Sequence, residues 1–169
     1  VGGMVDKPVI AALSGVCMGA GLSYALACDR RFGDPTVRMS AAMVRLGFSP
    51  DCGLTWLLPR VTRLPVALNM ATTGRIVDAA ECHKEGLIDE MVENGKSLEA
   101  ALAYARKLAQ GPSVAVDLAR RYIYRSFTVS LEEALYYEGV GAVMSSLTED
   151  AREGTSAFLE KRKPKYKGY

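Results

Sequence analysis

Histidine is nearly absent from this sequence, with His83 the only one in 169 residues. The four cysteines, Cys17, Cys28, Cys52 and Cys82, are widely spaced and contain no CxxC pair. One imidazole and scattered thiols cannot supply the ligand spacing of a zinc site, so no metal centre is expected. In a chain of this length the same thiols suit free cysteines in a reducing cytoplasm better than a disulfide framework. No run of eighteen apolar residues occurs, so no membrane-spanning helix is expected. The start, VGGMVDKPVI, lacks the basic flank and long apolar core of a secretory leader, and none is expected there. Acid is missing from the last nine residues, KRKPKYKGY, which hold five bases. The remainder then sums to about −3, which argues against a broad nucleic-acid surface. The basic tail itself reads either as a solvated end or as a phosphate contact.

What is present is enough apolar content, 49%, to bury a core within one compact chain. Lys7 to Leu13, KPVIAAL, reads as a buried strand of the parallel-sheet kind. It runs through Ser14-Gly15 to Gly19-Ala20-Gly21, where small residues let a ligand approach the backbone. Leu22 to Cys28 continues as an apolar helix, whose unpaired first N–H groups and positive dipole end face that turn. Such glycines also serve plain strand–helix packing, so the spacing alone leaves both roles open.

Thr36 to Ser40 reads as a second strand after the Asp34-Pro35 turn. LGFSPDCGLTWLLPR follows, with one carboxylate, Asp51, between a proline and an apolar helix. An aspartate there can simply cap the helix. It can also act as a general base against an apolar wall of Met43, Leu46, Phe48 and Trp56, where desolvation would raise its pKa. Leu64 to Thr73 reads as a helix ended by Gly74, and Asp78 to Glu81 as a capping box opening a short helix that Gly86 ends. His83 falls among polar neighbours in that helix and reads as a surface residue. Leu87 to Val92 is a strand candidate, and the chain is helical thereafter. Helices are expected over Ser97–Gln110 and Ser113–Phe127, from Ser130 through Met144, and after Thr148.

KPVIAALSG, GAG, ACD, LGFSPDCGLTWLLPR, TGRIVDAAE, GLIDEMV and REGTSAFLEKRKP occur in that order and together resemble the enoyl-CoA hydratase/isomerase (crotonase) superfamily. PDCGLTWLLPR is especially similar to the ring-epoxide isomerases of phenylacetate degradation within it. The resemblance implies an α/β fold, the crotonase ββα spiral. Residues 1–95 would form the C-terminal part of its core and residues 96–169 a helical trimerisation annex. It also implies an acyl-CoA thioester substrate, coenzyme A as part of that substrate and no separate cofactor. Trimers or hexamers are implied, with neither a nucleic-acid nor a membrane partner.

By position, the resemblance makes the Ala20 backbone N–H one donor of an oxyanion hole for the thioester oxygen. The two glutamates of the hydratases fall on Ser23 and Met43, neither of which can carry a proton as a carboxylate does. Asp51 falls where the isomerases keep an acid. Double-bond or epoxide isomerisation through a thioester enolate is therefore expected over hydration or hydrolysis, with a non-catalytic acyl-CoA binder as the other class. Gly19, Gly21, Ser23, Met43, Pro50 and Trp56 would line the substrate, and Phe158 and Lys161 would meet the coenzyme A. Family members are longer, so the second oxyanion N–H and most of the coenzyme A groove are expected from a portion outside these residues.

Overall fold

The structure, a computed structural model, describes residues 5–169; residues 1–4, which the expected first domain includes, lie outside the described residues. These form two units, one of residues 9–103 and one of residues 5–8 with 104–169.

In the first unit the apolar run after Pro8 forms β1 (Ile10–Leu13). Ser14 and Gly15 turn the chain into β2 (Val16–Met18), and Gly19 opens α1 (Ala20–Leu26). The pattern then repeats with β3 (Arg30–Gly33), β4 (Arg38–Ser40) and a 3-10 helix over Ala42–Leu46. The second turn stacks on the first in parallel. Ile10 to Leu13 pair with Arg30 to Gly33, and Val16 to Met18 pair with Arg38 to Ser40. β5 (Val77–Asp78) adds to β4 antiparallel, and β6 (Glu90–Met91) adds to β3 in parallel. Two three-stranded sheets result, in the orders β1-β3-β6 and β2-β4-β5. With α2 (Leu54–Val61), α3 (Leu64–Thr73) and α4 (Ala79–Lys84), α1 supplies the helical side of the core. Leu22, Leu26, Met39, Leu54, Leu58, Met70, Leu87 and Ile88 are all buried there. Each such side chain is worth about 1.5–3 kcal/mol of transfer free energy.

The strand ends are tied by polar groups. Asp34, 1% exposed, accepts from Ser14 Oγ (2.7 Å), Thr36 N (2.9 Å), Gly95 N (3.1 Å) and the Thr36 hydroxyl. Thr36 Oγ1 in turn accepts from Gly15 N at 2.9 Å, which fixes the turn between β1 and β2. Arg31 is buried in a strand, and each nitrogen of its guanidinium has a partner. Its Nη2 meets Asp89 Oδ1 at 2.9 Å, Nε donates to Leu87 O and Nη1 to Cys28 O, both at 3.0 Å. Breaking such a pair from one side leaves an uncompensated buried charge.

Three sequence expectations change. β2 and β3 are strands that the hydrophobic pattern did not reveal, because one is three residues long and the other opens with two arginines. Leu87–Val92 is strand only at Glu90–Met91; Leu87 and Ile88 instead donate their N–H groups to Cys82 O, finishing α4. Asp51 is not the cap of α2. Gly53 holds that position with φ +79°, and no side chain caps the helix.

In the second unit, α5 (Ser97–Ala109), which begins in the first, leads to α6 (Ser113–Ser126), α7 (Leu131–Ser146) and α8 (Glu149–Leu159). Ser130 and Thr148 cap α7 and α8, accepting from Glu133 N and Ala151 N. α7 leaves much apolar surface uncovered, with Leu131, Leu135, Tyr136, Val143 and Met144 exposed. The basic tail folds back on α8. Lys167 N and Gly168 N donate to the Asp150 carboxylate at 2.7 and 2.9 Å, Arg162 grips Glu153 and Lys167 Nζ meets Glu149 at 3.1 Å. The hydrogen bond from Arg162 is the main cause that holds the Glu153 carboxyl down to about 2. Among the described residues no helix is long and apolar enough to cross a membrane.

Candidate active site

β2 delivers the chain to Gly19, whose φ of +56° and ψ of −125° only glycine adopts readily. Gly19 N donates to Ser40 O at 3.0 Å, so β4 fixes the turn from below. Ser40 is itself pinned through its buried hydroxyl to Gly74 O at 2.7 Å. α1 begins at Ala20 without a capping side chain. The Ala20 and Gly21 N–H groups therefore precede any intrahelical acceptor and point out of the helix start. Gly21 is exposed and Ala20 half-buried. Met43 lies over this turn, its Cε 3.8 Å from where a Cβ on Gly19 would sit.

Asp51 stands on a tight turn at the head of α2. Leu54 N donates to Asp51 O at 2.9 Å, and both intervening residues are left-handed, Cys52 with φ +51° and Gly53 with φ +79°. Those angles are the signature of a type I′ turn, which suits glycine or asparagine at both central positions. Cys52 carries a Cβ there, a conformation that costs on the order of 1 kcal/mol and is typical of functional loops. With the helix capped by Gly53, the Asp51 carboxylate is left exposed beside the Cys52 thiol. That carboxylate pushes the thiol above its ordinary range, with desolvation a smaller cause. The two other thiols of the first sheet region and core, Cys17 and Cys82, are pushed up by burial to about 11 and about 12.

The apolar wall expected around Asp51 is open. Leu46 and Phe48 are 75% and 67% exposed and turn to solvent rather than closing over the acid. Trp56, one helical turn past the acid loop, is half exposed and carries the Arg60 guanidinium 3.8 Å from its ring centroid. Pro50 is half-buried at the entrance to the turn.

Ser23 is 1% exposed. Its hydroxyl lies 3.5 Å from Gly19 O and 3.4 Å from Asp51 O. Gly19, Ala20, Ser23 and Asp51 are thereby brought to one place, with Met43 over the turn. The sequence carried no signal for the Ser23–Asp51 link, because it joins residues 28 apart. The left-handed turn was partly legible in the Asp-Cys-Gly spelling. In the second unit, Phe158 is 82% exposed, and Lys161 follows α8 in a left-handed conformation, φ +54°. The chemistry available around Asp51 is proton transfer next to backbone donors that favour a developing oxyanion.

Comparisons with known proteins address the family and the fold. Residues 3–169 match the enoyl-CoA hydratase/isomerase family. The chain is 36% identical over 164 residues to 1,2-epoxyphenylacetyl-CoA isomerase of Escherichia coli K12, covering 97% of this chain and 63% of that protein. It is 34% identical over 163 residues to 2,3-dehydroadipyl-CoA hydratase of the same organism, covering 96% of this chain and 64% of the relative. The crystal structure of enoyl-CoA hydratase from Mycobacterium tuberculosis H37Rv superposes with a TM-score of 0.92 at 30% identity, over 97% of this chain and 65% of that one. The chain thus spans just under two thirds of the length of these relatives. Its stacked ββα turns are the crotonase fold, and the chain belongs to the enoyl-CoA hydratase/isomerase family.

Proposed function

We propose that this chain carries the proton-transfer core of an acyl-CoA isomerase. Asp51 removes a proton from the carbon next to the thioester, and the enolate oxygen is held by the Ala20 N–H and by a second N–H from outside these residues. The protonated Asp51 then returns the proton two carbons further along, moving the double bond. The observation that carries this reading is that Asp51 is an exposed acid, not spent as a helix cap and bonded through its carboxylate to the neighbouring Cys52, on a strained turn beside the glycine turn. Ser23 and Met43, at the positions where hydratases keep glutamates, offer no second carboxylate. The relative that isomerises 1,2-epoxyphenylacetyl-CoA supports a ring-epoxide version of the same enolate chemistry. A second reading, hydration with water held by Asp51, is favoured by the hydratase names of other relatives.

Gly19, Gly21, Met43, Pro50 and Trp56 shape the acyl pocket in this proposal, while Phe158 and Lys161 meet the coenzyme A. No cofactor is needed beyond the coenzyme A of the substrate. Residues 96–169 act as a trimerisation annex, an idea supported by the exposed apolar face of α7. Its Leu135, Tyr136, Val140, Val143 and Met144 line an open groove of about 490 Å³. Four free thiols suit a cytoplasmic setting. The discriminating assay follows absorbance in the protein carrying this chain. A 3-enoyl-CoA is expected to gain the conjugated-enone band, and a 2-enoyl-CoA to keep it. Loss of the band from the 2-enoyl-CoA, with no change in the 3-enoyl-CoA, would favour hydration.

A further inference from the structure

We infer that Ser23 is a positioning residue whose buried hydroxyl ties the carbonyl of Gly19, at the oxyanion turn, to the carbonyl of Asp51, at the acid loop. The inference rests on the roles given above to Ala20 and Asp51. A helical serine that bonds only the carbonyl four residues back is common and carries no message. Here the same hydroxyl, 1% exposed, also reaches Asp51 O at 3.4 Å across 28 residues of chain. It has one proton, shared between two carbonyl oxygens at 3.4 and 3.5 Å.

The other side chain found bonded to Asp51 among the described residues is its neighbour Cys52, whose thiol addresses the carboxylate and ties it to nothing outside the turn. The backbone bond from Leu54 N fixes the turn to its own helix, not to α1. Without the Ser23 hydroxyl, the turn would still be closed by Leu54 N but would lose this bond to α1, leaving the acid freer to shift relative to the Ala20 N–H. Misplacement of a reacting group lowers kcat more than it weakens binding, because productive geometry is needed only in the transition state.

The test uses two readouts. Cys52, the one exposed thiol of the four, sits next to the acid and reports its position without any substrate. Ser23→Ala should raise the rate at which Cys52 reacts with a chromogenic disulfide by about two- to tenfold, the range that one net hydrogen bond spans. It should lower kcat with little change in KM, and Ser23→Thr, which keeps the hydroxyl, should restore both. An unchanged labelling rate in Ser23→Ala would overturn the link. Faster labelling with an unchanged kcat would overturn the positioning role. Turnover surviving in Asp51→Asn is a separate result that sinks the acid assignment, and the positioning role with it, whatever the labelling shows about the link. Thermal melting of each variant separates these effects from loss of fold.

Discussion

Asp51→Asn should lower kcat for isomerisation by about 10²–10⁴-fold, the usual contribution of a positioned acid–base group. The KM for the CoA thioester should change little. Asparagine has the shape of aspartate but can neither take nor return a proton at neutral pH. The backbone contacts of residue 51 should survive, since Leu54 N and the Ser23 hydroxyl both address its carbonyl rather than its side chain. The fold should therefore tolerate the change, with α2 still capped by Gly53. Steady-state kinetics with a 3-enoyl-CoA in the protein carrying this chain measure the effect. A kcat within tenfold of the parent would remove Asp51 from the mechanism.

Asp34→Ala should produce the largest loss of stability, about 3 kcal/mol or some 6–12 °C in Tm. The carboxylate is buried, and its removal takes away the charged acceptor shared by the Ser14 and Thr36 hydroxyls and the Thr36 and Gly95 N–H groups. The hydroxyl of Thr36, first among the causes, then that of Ser14, together with the backbone N–H groups, hold the Asp34 carboxyl well below the usual range. A carboxyl depressed in the folded state stabilises it fully above its unfolded value near pH 4, about 3.9 for aspartate. That contribution declines as the pH falls from there toward the depressed native value. The parent should thus lose stability below about pH 4 more steeply than Asp34→Ala, whose melting curve lacks this component. Parallel acid dependence in the two proteins would show that Asp34 is not the linked group. Because Ser14 and Gly15 turn β1 into β2, and β2 leads to Gly19, the variant should also lose activity at temperatures where it remains folded.

Much of this was legible in the residues. The apolar run KPVIAAL announced β1, the Asp34-Pro35 turn announced β4, and Ser130 and Thr148 announced the starts of α7 and α8. The glycine turn and Asp51 were visible as a pair of unusual features 31 residues apart. What brought them together was not visible, because Gly19 N to Ser40 O and Ser23 Oγ to Asp51 O are contacts made by stacking one ββα turn on the next. β3 was hidden for a related reason. Arg30 and Arg31 look like solvent residues until Asp89, 58 positions away, supplies the partner that lets Arg31 be buried. The capping alternative for Asp51 fails because, although it has the right spelling for a cap, the left-handed Cys52 and Gly53 carry the chain past it. The exposure of Leu46 and Phe48 likewise depends on where the 3-10 helix points, which local composition does not encode.

The most direct test of Asp51 as a proton carrier is isomerisation of a 3-enoyl-CoA in D₂O by the protein carrying this chain, read by NMR and mass spectrometry. Proton removal from the carbon next to the thioester and return two carbons further along should give a 2-enoyl-CoA whose carbon 4 carries the substrate's own proton, with deuterium there only in turnovers where the exposed, protonated Asp51 exchanges with solvent first. No 3-hydroxyacyl-CoA should form. Recovery of the 3-enoyl-CoA unlabelled, with a 2-enoyl-CoA control converted to a 3-hydroxyacyl-CoA labelled at carbon 2, would contradict isomerisation and make the protein a hydratase.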